Sequence, residues 1–279
     1  MLLATVLALV AAVLHTTWNL ILKRAPHGDR DLTSWGLFLF GAAFVTPIVV
    51  AMGGPGAAAM PWLVASGVVH VAYINGLVGA YRHGDFSLAY PLARGGGALV
   101  AAVGGAVFLG DTLAFAAWLC VVVVAVGLLS LVGRGVSTAT LRDALITAVA
   151  IGTYTVIDAE GSRVATTGIA YGLSTTTAAA IGVSAAFLAK RRGRALVAAF
   201  PSAWRTWALA GACTATAYAL VVTAMRFAPV GYVAMLRESS VVFGAAIGWL
   251  VLKEPLGGRR LVSSVIILAG LLGLVATTL

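Results

Sequence analysis

Charge is what this chain has least of. Only 10% of its 279 residues are Asp, Glu, Lys or Arg, whereas 61% are apolar. That balance excludes a soluble domain and points to an integral membrane protein. Cysteine is nearly absent. Cys120 and Cys213 both fall in apolar runs, where they behave as small buried residues rather than as a disulfide or a metal pair. There is no His-Glu-x-x-His and no pair of histidines at ligand spacing, so the pattern implies no metal and no cofactor. There is also no Gly-x-Ser-x-Gly and no pair of acids at metal spacing on one helix, which argues against an intramembrane enzyme. Long polar stretches are missing, and with them any room for a soluble catalytic domain. The chemistry has to lie between helices.

Apolar runs are what remains. A membrane span needs about 20 mostly apolar residues. Ten are read here: 2–22, 34–52, 62–81, 86–109, 113–132, 143–159, 169–189, 205–225, 230–252 and 258–278. Residues 1–22 lack the basic start and small-residue cleavage site of a signal peptide, so a first transmembrane helix is expected. The net charge of +9 does not indicate nucleic acid, because the bases sit in short loops beside spans. Of the 18 bases, Arg163 and Arg226 fall on one face of this ten-span reading, Arg94 and Arg237 lie inside it, and the rest crowd the other face. The positive-inside rule makes the crowded face cytoplasmic, which puts both termini outside. Trp62, Trp204 and Trp207 fall at span ends, where an interfacial aromatic belt is expected.

One element is written twice. Arg94 lies inside run 86–109 and is followed by Gly95-Gly96-Gly97; Arg237 lies inside run 230–252 and is followed by Glu238-Ser239-Ser240. The offset of 143 residues between them also pairs Gly105 with Gly248, Leu109 with Leu252, Asp111 with Glu254, Leu113 with Leu256 and Gly127-Leu128-Leu129 with Gly270-Leu271-Leu272. Five spans per half is an odd number, so the second half enters the membrane from the opposite face. The expected fold is therefore an all-α integral membrane protein of ten transmembrane helices in a five-plus-five inverted repeat. Residues 1–135 form the first repeat and 136–279 the second, joined near Gly133–Thr140 and packed as one unit.

A charge at membrane depth is costly and usually faces a cavity. Arg94 is about eight residues into its helix and Arg237 about seven, or roughly 12 and 10 Å at the rise of an α-helix. A guanidinium presents a fork suited to a carboxylate or phosphate. Two readings stand: recognition of a substrate anion, with Arg94 meeting it while Arg237 and Glu238 set the local charge and coupling, and an internal ion pair of Arg94 or Arg237 with Glu238 or Asp158. Both hold if the substrate competes for the pair. Glu238 and Asp158 are the acids placed within spans, and either can carry a coupling proton or serve as a partner of arginine. His15 can relay a proton, while His70 is read as a packing residue. Trp18, Tyr73, Tyr90, Tyr154 and Tyr218 form a candidate aromatic lining, with Asn19 beside Trp18. Pro91, three residues before Arg94, can kink or open that helix. Ser174–Thr177 is read as interhelical hydrogen bonding. Asp111 and Glu254 are read as turn residues close to water.

Several stretches resemble a known family. His-Thr-Thr-Trp-Asn-Leu-Ile-Leu-Lys at 15–23, Tyr-Arg-His-Gly-Asp-Phe-Ser-Leu-Ala-Tyr-Pro-Leu-Ala-Arg-Gly at 81–95, Tyr-Thr-Val-Ile-Asp at 154–158 and the run at 228–243 are similar to EamA-like members of the drug/metabolite transporter superfamily. The resemblance implies a central cavity between two five-helix repeats, alternating access and export of amino acids or other metabolites. It differs from the small multidrug members in one respect: span 2–22 has no acid, only His15, Trp18 and Asn19. The family generally keeps its termini in the cytoplasm, whereas the loop charges here favour the reverse.

The expected function is transport of a small polar metabolite, anionic or zwitterionic, through the plasma (inner) membrane. The expected partners are that small molecule and the bilayer, with no nucleic acid, and the protein acts as a monomer or a homodimer. A translocase for a lipid-linked phosphate-bearing headgroup is the alternative, since the arginines suit phosphate. A structural or receptor-like subunit would account for the spans but not for the duplicated charge.

Overall fold

The computed structural model describes residues 2–26, 29–108, 114–132, 136–224, 236–255 and 257–277. These residues form ten α-helices and a short 3-10 turn at Ala57–Ala59. The helices are α1 (Leu2–Arg24), α2 (Arg30–Ala51), α3 (Met60–His83), α4 (Phe86–Phe108), α5 (Phe115–Leu131), α6 (Thr138–Val164), α7 (Gly168–Ala189), α8 (Gly193–Ala224), α9 (Ser240–Leu250) and α10 (Gly257–Ala276). Among the described residues there is no strand. A bilayer leaves no other choice short of a closed barrel, because every backbone N–H and C=O must be satisfied within the segment. Six of the helices are long and apolar enough to cross a membrane: α1 to α4, α6 and α7. The α5 and α9 helices are apolar but shorter.

Two helices differ from the sequence expectation. The α8 helix begins at Gly193, twelve residues before the expected span. Hydropathy locates the apolar stretch, not the helix, and the basic first turns of α8 need no lipid. The run expected as one helix over 230–252 is interrupted: Leu236 and Arg237 are helical, Glu238 and Ser239 form a turn, and helix resumes at Ser240. At the interruption Ser239 N bonds to Leu236 O, Val241 N to Glu238 O and Val242 N to Ser239 O, tight i→i+3 bonds beside Arg237 and Glu238. Arg237 is therefore the last helical residue before a break. Pro91, in contrast, stays within an unbroken α4. The linker residues 133–135, Arg226, Asp111 and the rest of 109–113, Leu256, and residues 228–235 lie outside the described residues.

The strongest packing runs between the two halves of the chain. The α1 helix packs on α8, α2 on α7 and α8, α3 on α6 and α7, α4 on α6 and α9, and α5 on α10. Small residues allow the approach. A Cβ on Gly211 would lie 2.7 Å from Gly41 N and 2.8 Å from Leu37 O, so α2 and α8 touch backbone to backbone. Gly67 and Gly182 make the corresponding contact between α3 and α7. Gly127 packs on Ile267, and Gly270 packs on Val124, one contact read from each side of the α5·α10 pair. Trp207, expected at the interface, is instead 2% exposed and packs against Gly36 in the core. Trp204 does face outward, at 41% exposure, with Arg205 over its ring.

Close backbone contact leaves no room for a side chain. Gly211→Leu should lower the thermal unfolding temperature in detergent by several degrees, from overpacking on the order of 1–3 kcal/mol. Gly168→Ala, where a Cβ meets nothing within 4 Å, is the control and should leave it unchanged.

Candidate functional site

A cavity of about 400 Å³ opens inside the helix bundle. Eight of the ten helices contribute to its wall, all but α5 and α9, together with Arg237 and Glu238 from the break before α9. The contributing residues follow helical spacing: Ala11, His15 and Trp18 on α1; Arg94, Gly97, Ala98 and Ala101 on α4; Ile151, Tyr154, Thr155 and Asp158 on α6; Thr214, Ala217, Tyr218 and Val221 on α8. Positions three, four and seven apart share one helix face, so each helix turns a single stripe inward.

Charge converges at one place in this wall. Arg94 Nη2 donates to Glu238 Oε1 at 2.6 Å, and Arg237 Nη2 donates to the same oxygen at 3.2 Å. Arg94 comes from the first half of the chain and Glu238 from the second, so the pair bridges the halves. The Arg94 and Glu238 side chains are 8% and 10% exposed, whereas Arg237 is 32% exposed. Arg94, expected to be the freer charge because Gly95 stands where Glu238 follows Arg237, is thus the tightly held base and Arg237 the freer one, since Glu238 reaches across the halves. Two guanidiniums share one carboxylate oxygen, and the cluster carries one excess positive charge. Arg94 Nε, Arg237 Nε and Glu238 Oε2 are buried without a hydrogen-bond partner among the described residues. Buried polar atoms left unmatched are costly, and here they sit in the wall of a cavity.

The aromatic lining forms around this cluster. His70 stacks on Tyr154 with ring centroids 4.4 Å apart, and Tyr73 meets both rings edge-on at 5.8 Å. On α1, Trp18 Nε1 donates to His15 Nδ1 at 3.3 Å, leaving His15 Nε2 buried and without a partner among the described residues. Asp158 accepts from the Tyr171 hydroxyl at 2.9 Å.

Most of the expected residues meet here. Arg94, Arg237, Glu238, Trp18, Tyr73, Tyr154, Tyr218, Asp158 and His15 all line the cavity. Two do not. Asn19 is buried behind it, donating to His15 O at 2.8 Å and accepting from the Tyr81 hydroxyl at 2.7 Å. Tyr90 is buried against Gly244 and stacks on Phe86 at 5.1 Å. Both fix the wall rather than form it. His70, expected to be a packing residue, lines the cavity, as do Thr175 and Thr176 from the stretch expected to bond between helices. Thr177 does make such a bond, with Thr46 at 2.9 Å. Thr155 and Thr214 were not singled out. The signal for them was the polar stripe through Tyr154 and Asp158 on α6, and through Tyr218 on α8, at helical spacing.

The acids within helices also number more than expected: α2 begins at Arg30 and takes in Asp31, α6 runs on to Val164 and takes in Glu160, and Asp143, at the edge of the expected span, lies a turn inside α6. Asp143 is buried and accepts from Arg142 at 2.8 Å and from His83 at 3.1 Å. It belongs to a polar seal at the α3–α4 junction, which supplies no residue to the cavity wall. Arg30 donates to Tyr81 O, Lys23 O and Ala25 O, and Lys23 Nζ donates to Tyr81 O and Gly84 O. Glu254 accepts from the backbone of Phe86 at 2.6 Å and of Ser87 at 2.7 Å, which caps α4 from the second half of the chain. Arg260 donates to Asp85 at 2.6 Å and to the Ser87 hydroxyl at 2.9 Å. Glu254 is therefore a cap across the halves rather than a solvated turn residue. Unsatisfied helix ends attract partners of this kind.

The model of the EamA-like transporter family matches residues 143–276, from the first turns of α6 to the end of α10. No curated protein matches the chain.

The shared carboxylate makes the cluster non-additive. Glu238→Ala should destabilise the protein by about 3–5 kcal/mol, because it leaves buried guanidiniums uncompensated. The double variant Arg94→Leu/Glu238→Leu should be less destabilised than the sum of the two single changes. Denaturation of the four proteins in detergent closes that cycle, and strict additivity would show that the pair does not interact.

Proposed function

We propose, on the premise that this chain belongs through its second half to the EamA-like transporter family of the drug/metabolite transporter superfamily, that it carries a small polar metabolite across the plasma membrane by alternating access, as an exporter. The substrate is anionic or zwitterionic and resembles an amino acid. The observation that carries this reading is the excess of arginine in the cavity wall. Arg237 lines the cavity at 32% exposure and, among the described residues, shares its one carboxylate partner with Arg94 and keeps a buried N–H unmatched. An incoming carboxylate matches that fork. The wall comes from eight helices around the space, which favours a central path over the lateral groove that a lipid-linked headgroup would need.

The five-plus-five inverted repeat belongs to the same reading, and two observations support it. Exchanging each helix for the one five along maps the packing pairs onto one another: α1·α8 onto α3·α6, α2·α8 onto α3·α7 and α4·α6 onto a slighter α1·α9 contact, while α2·α7, α4·α9 and α5·α10 map onto themselves. The contact Gly127–Ile267 becomes Val124–Gly270 under the 143-residue offset, which is the reciprocity expected across a two-fold axis. The site then sits where the halves meet, as in transporters built from repeats. Alternating access requires the seal at the α3–α4 junction to open, and the contacts of Glu254 with the start of α4 and of Arg260 with Asp85 are the ones that have to part.

Two measurements test this. In proteoliposomes, Arg237→Ala and Arg94→Ala should each reduce transport of an amino-acid panel to background, and full transport by both variants would remove the site assignment. With a cysteine at Ala98 as reporter, Arg260→Ala should speed thiol labelling from the face that carries the basic loops. An unchanged labelling rate would show that the seal does not gate the cavity.

A further inference from the structure

We infer that Asp158 is the cation-binding end of a bipolar site, and that the ligand is a zwitterion whose ammonium stands at the far end of a short chain from its carboxylate, as in a basic or ω-amino acid. This rests on the reading of Arg94 and Arg237 as the anion site. Asp158 lines the same cavity as the arginines. Among the described residues it accepts from the Tyr171 hydroxyl at 2.9 Å, with Ser66 an electrostatic neighbour, and no base forms an ion pair with it there. The Tyr171 hydroxyl orients the carboxylate without neutralising it. One end of the cavity thus carries an excess positive charge and the other a carboxylate with no counter-ion among the described residues.

Helix register gives the distance between the ends. The α4 and α6 helices run in the same direction, with Gly96 against Ala148, Gly97 against Ile151, Val100 against Gly152 and Gly104 against Val156. Asp158 therefore lies just beyond the level of Gly104. The α9 helix runs the other way along α4, with Gly248 at Ser87 and Gly244 at Tyr90, which brings Glu238 to the level of Gly96 and Gly97. Roughly nine residues of helix separate the two levels, or about 13 Å at 1.5 Å per residue. The Arg237 and Asp158 side chains shorten that gap without closing it. The α-ammonium and carboxylate of an amino acid flank a single carbon and cannot reach both ends. A chain of a few methylenes can.

The wall between the ends suits such a chain. Tyr154 stands one turn before Asp158 on α6 and is an electrostatic neighbour of Arg94, Arg237 and Asp158 alike. Tyr218 is a neighbour of both Arg237 and Asp158. Tyrosine faces pack methylenes and attract an approaching ammonium.

The test uses ligand pairs that differ only in the terminal ammonium: lysine against norleucine, and 6-aminohexanoate against hexanoate. Binding to the purified full-length protein is measured for the wild type, Asp158→Asn and Arg237→Ala. The wild type should bind the ammonium-bearing member of each pair on the order of tenfold more tightly or better. Asp158→Asn should abolish that preference while still binding norleucine, which also shows that the variant is folded. Arg237→Ala should weaken every ligand. Equal binding of the two members by the wild type, or a preference that survives Asp158→Asn, overturns the assignment, even if binding still depends on Arg237. If Asp158 served only to carry a coupling proton, its replacement would stop transport but keep the preference, and this too overturns it. Binding that is indifferent to Arg237 across the panel removes the anion site, and this inference with it.

Discussion

A guanidinium inside a bilayer must find an anion, and Arg94 finds Glu238. That contact sets terms for much of the rest. It joins α4 to the turn before α9, so the two halves of the chain meet at their most costly charge. A carboxylate shared with Arg237 leaves the cluster positive, and a positive cluster within low dielectric has to face open space or a ligand. The cavity and the charge are thus two consequences of one constraint. The helix break after Arg237 belongs to it as well, since a continuous helix over 230–252 would not make the tight turn that sets Arg237 and Glu238 in the cavity wall.

Small residues make that meeting possible. Helix association in lipid gains little from the hydrophobic effect and relies on close packing and hydrogen bonds. The Gly41–Gly211 and Gly67–Gly182 approaches bring backbones together across the halves, and the halves interleave rather than stand side by side. At the α3–α4 junction the same interleaving uses charge. Lys23 and Arg30 from the first half and Glu254 and Arg260 from the second satisfy the ends of α3 and α4. One end of the bundle is thereby bound by polar contacts, and the cavity residues of α4, Arg94 to Ala101, lie further along the helix from that end.

Much of the site was legible because buried charge is rare enough to notice. Arg94, Arg237, Glu238 and Asp158 are conspicuous in apolar runs, and all four line the cavity. Aromatic residues were less legible. Tyr90 and Tyr154 look alike in sequence, yet one is packed behind the wall and the other is in it, because only the helix's rotation decides which face a residue presents. Trp207 looked like an interfacial residue for the same reason, and the small Gly36 opposite made it a core residue. His70 was the converse case: a lone histidine that the stacking of Tyr154 brings into the wall.

The sequence by itself determined the class of molecule and which charges fall within apolar runs. These follow from hydropathy, which is a local property. It also carried the 143-residue echo between the halves. Only the tertiary structure decided which arginine is held and which is free, since that depends on two guanidiniums reaching one oxygen from different halves of the chain. It alone turned Glu254 from a turn acid into a cap on α4, and it alone set Asp158 in the same cavity as the arginines but well away from them. Distances of that kind arise from helix register across the halves, which no local pattern records.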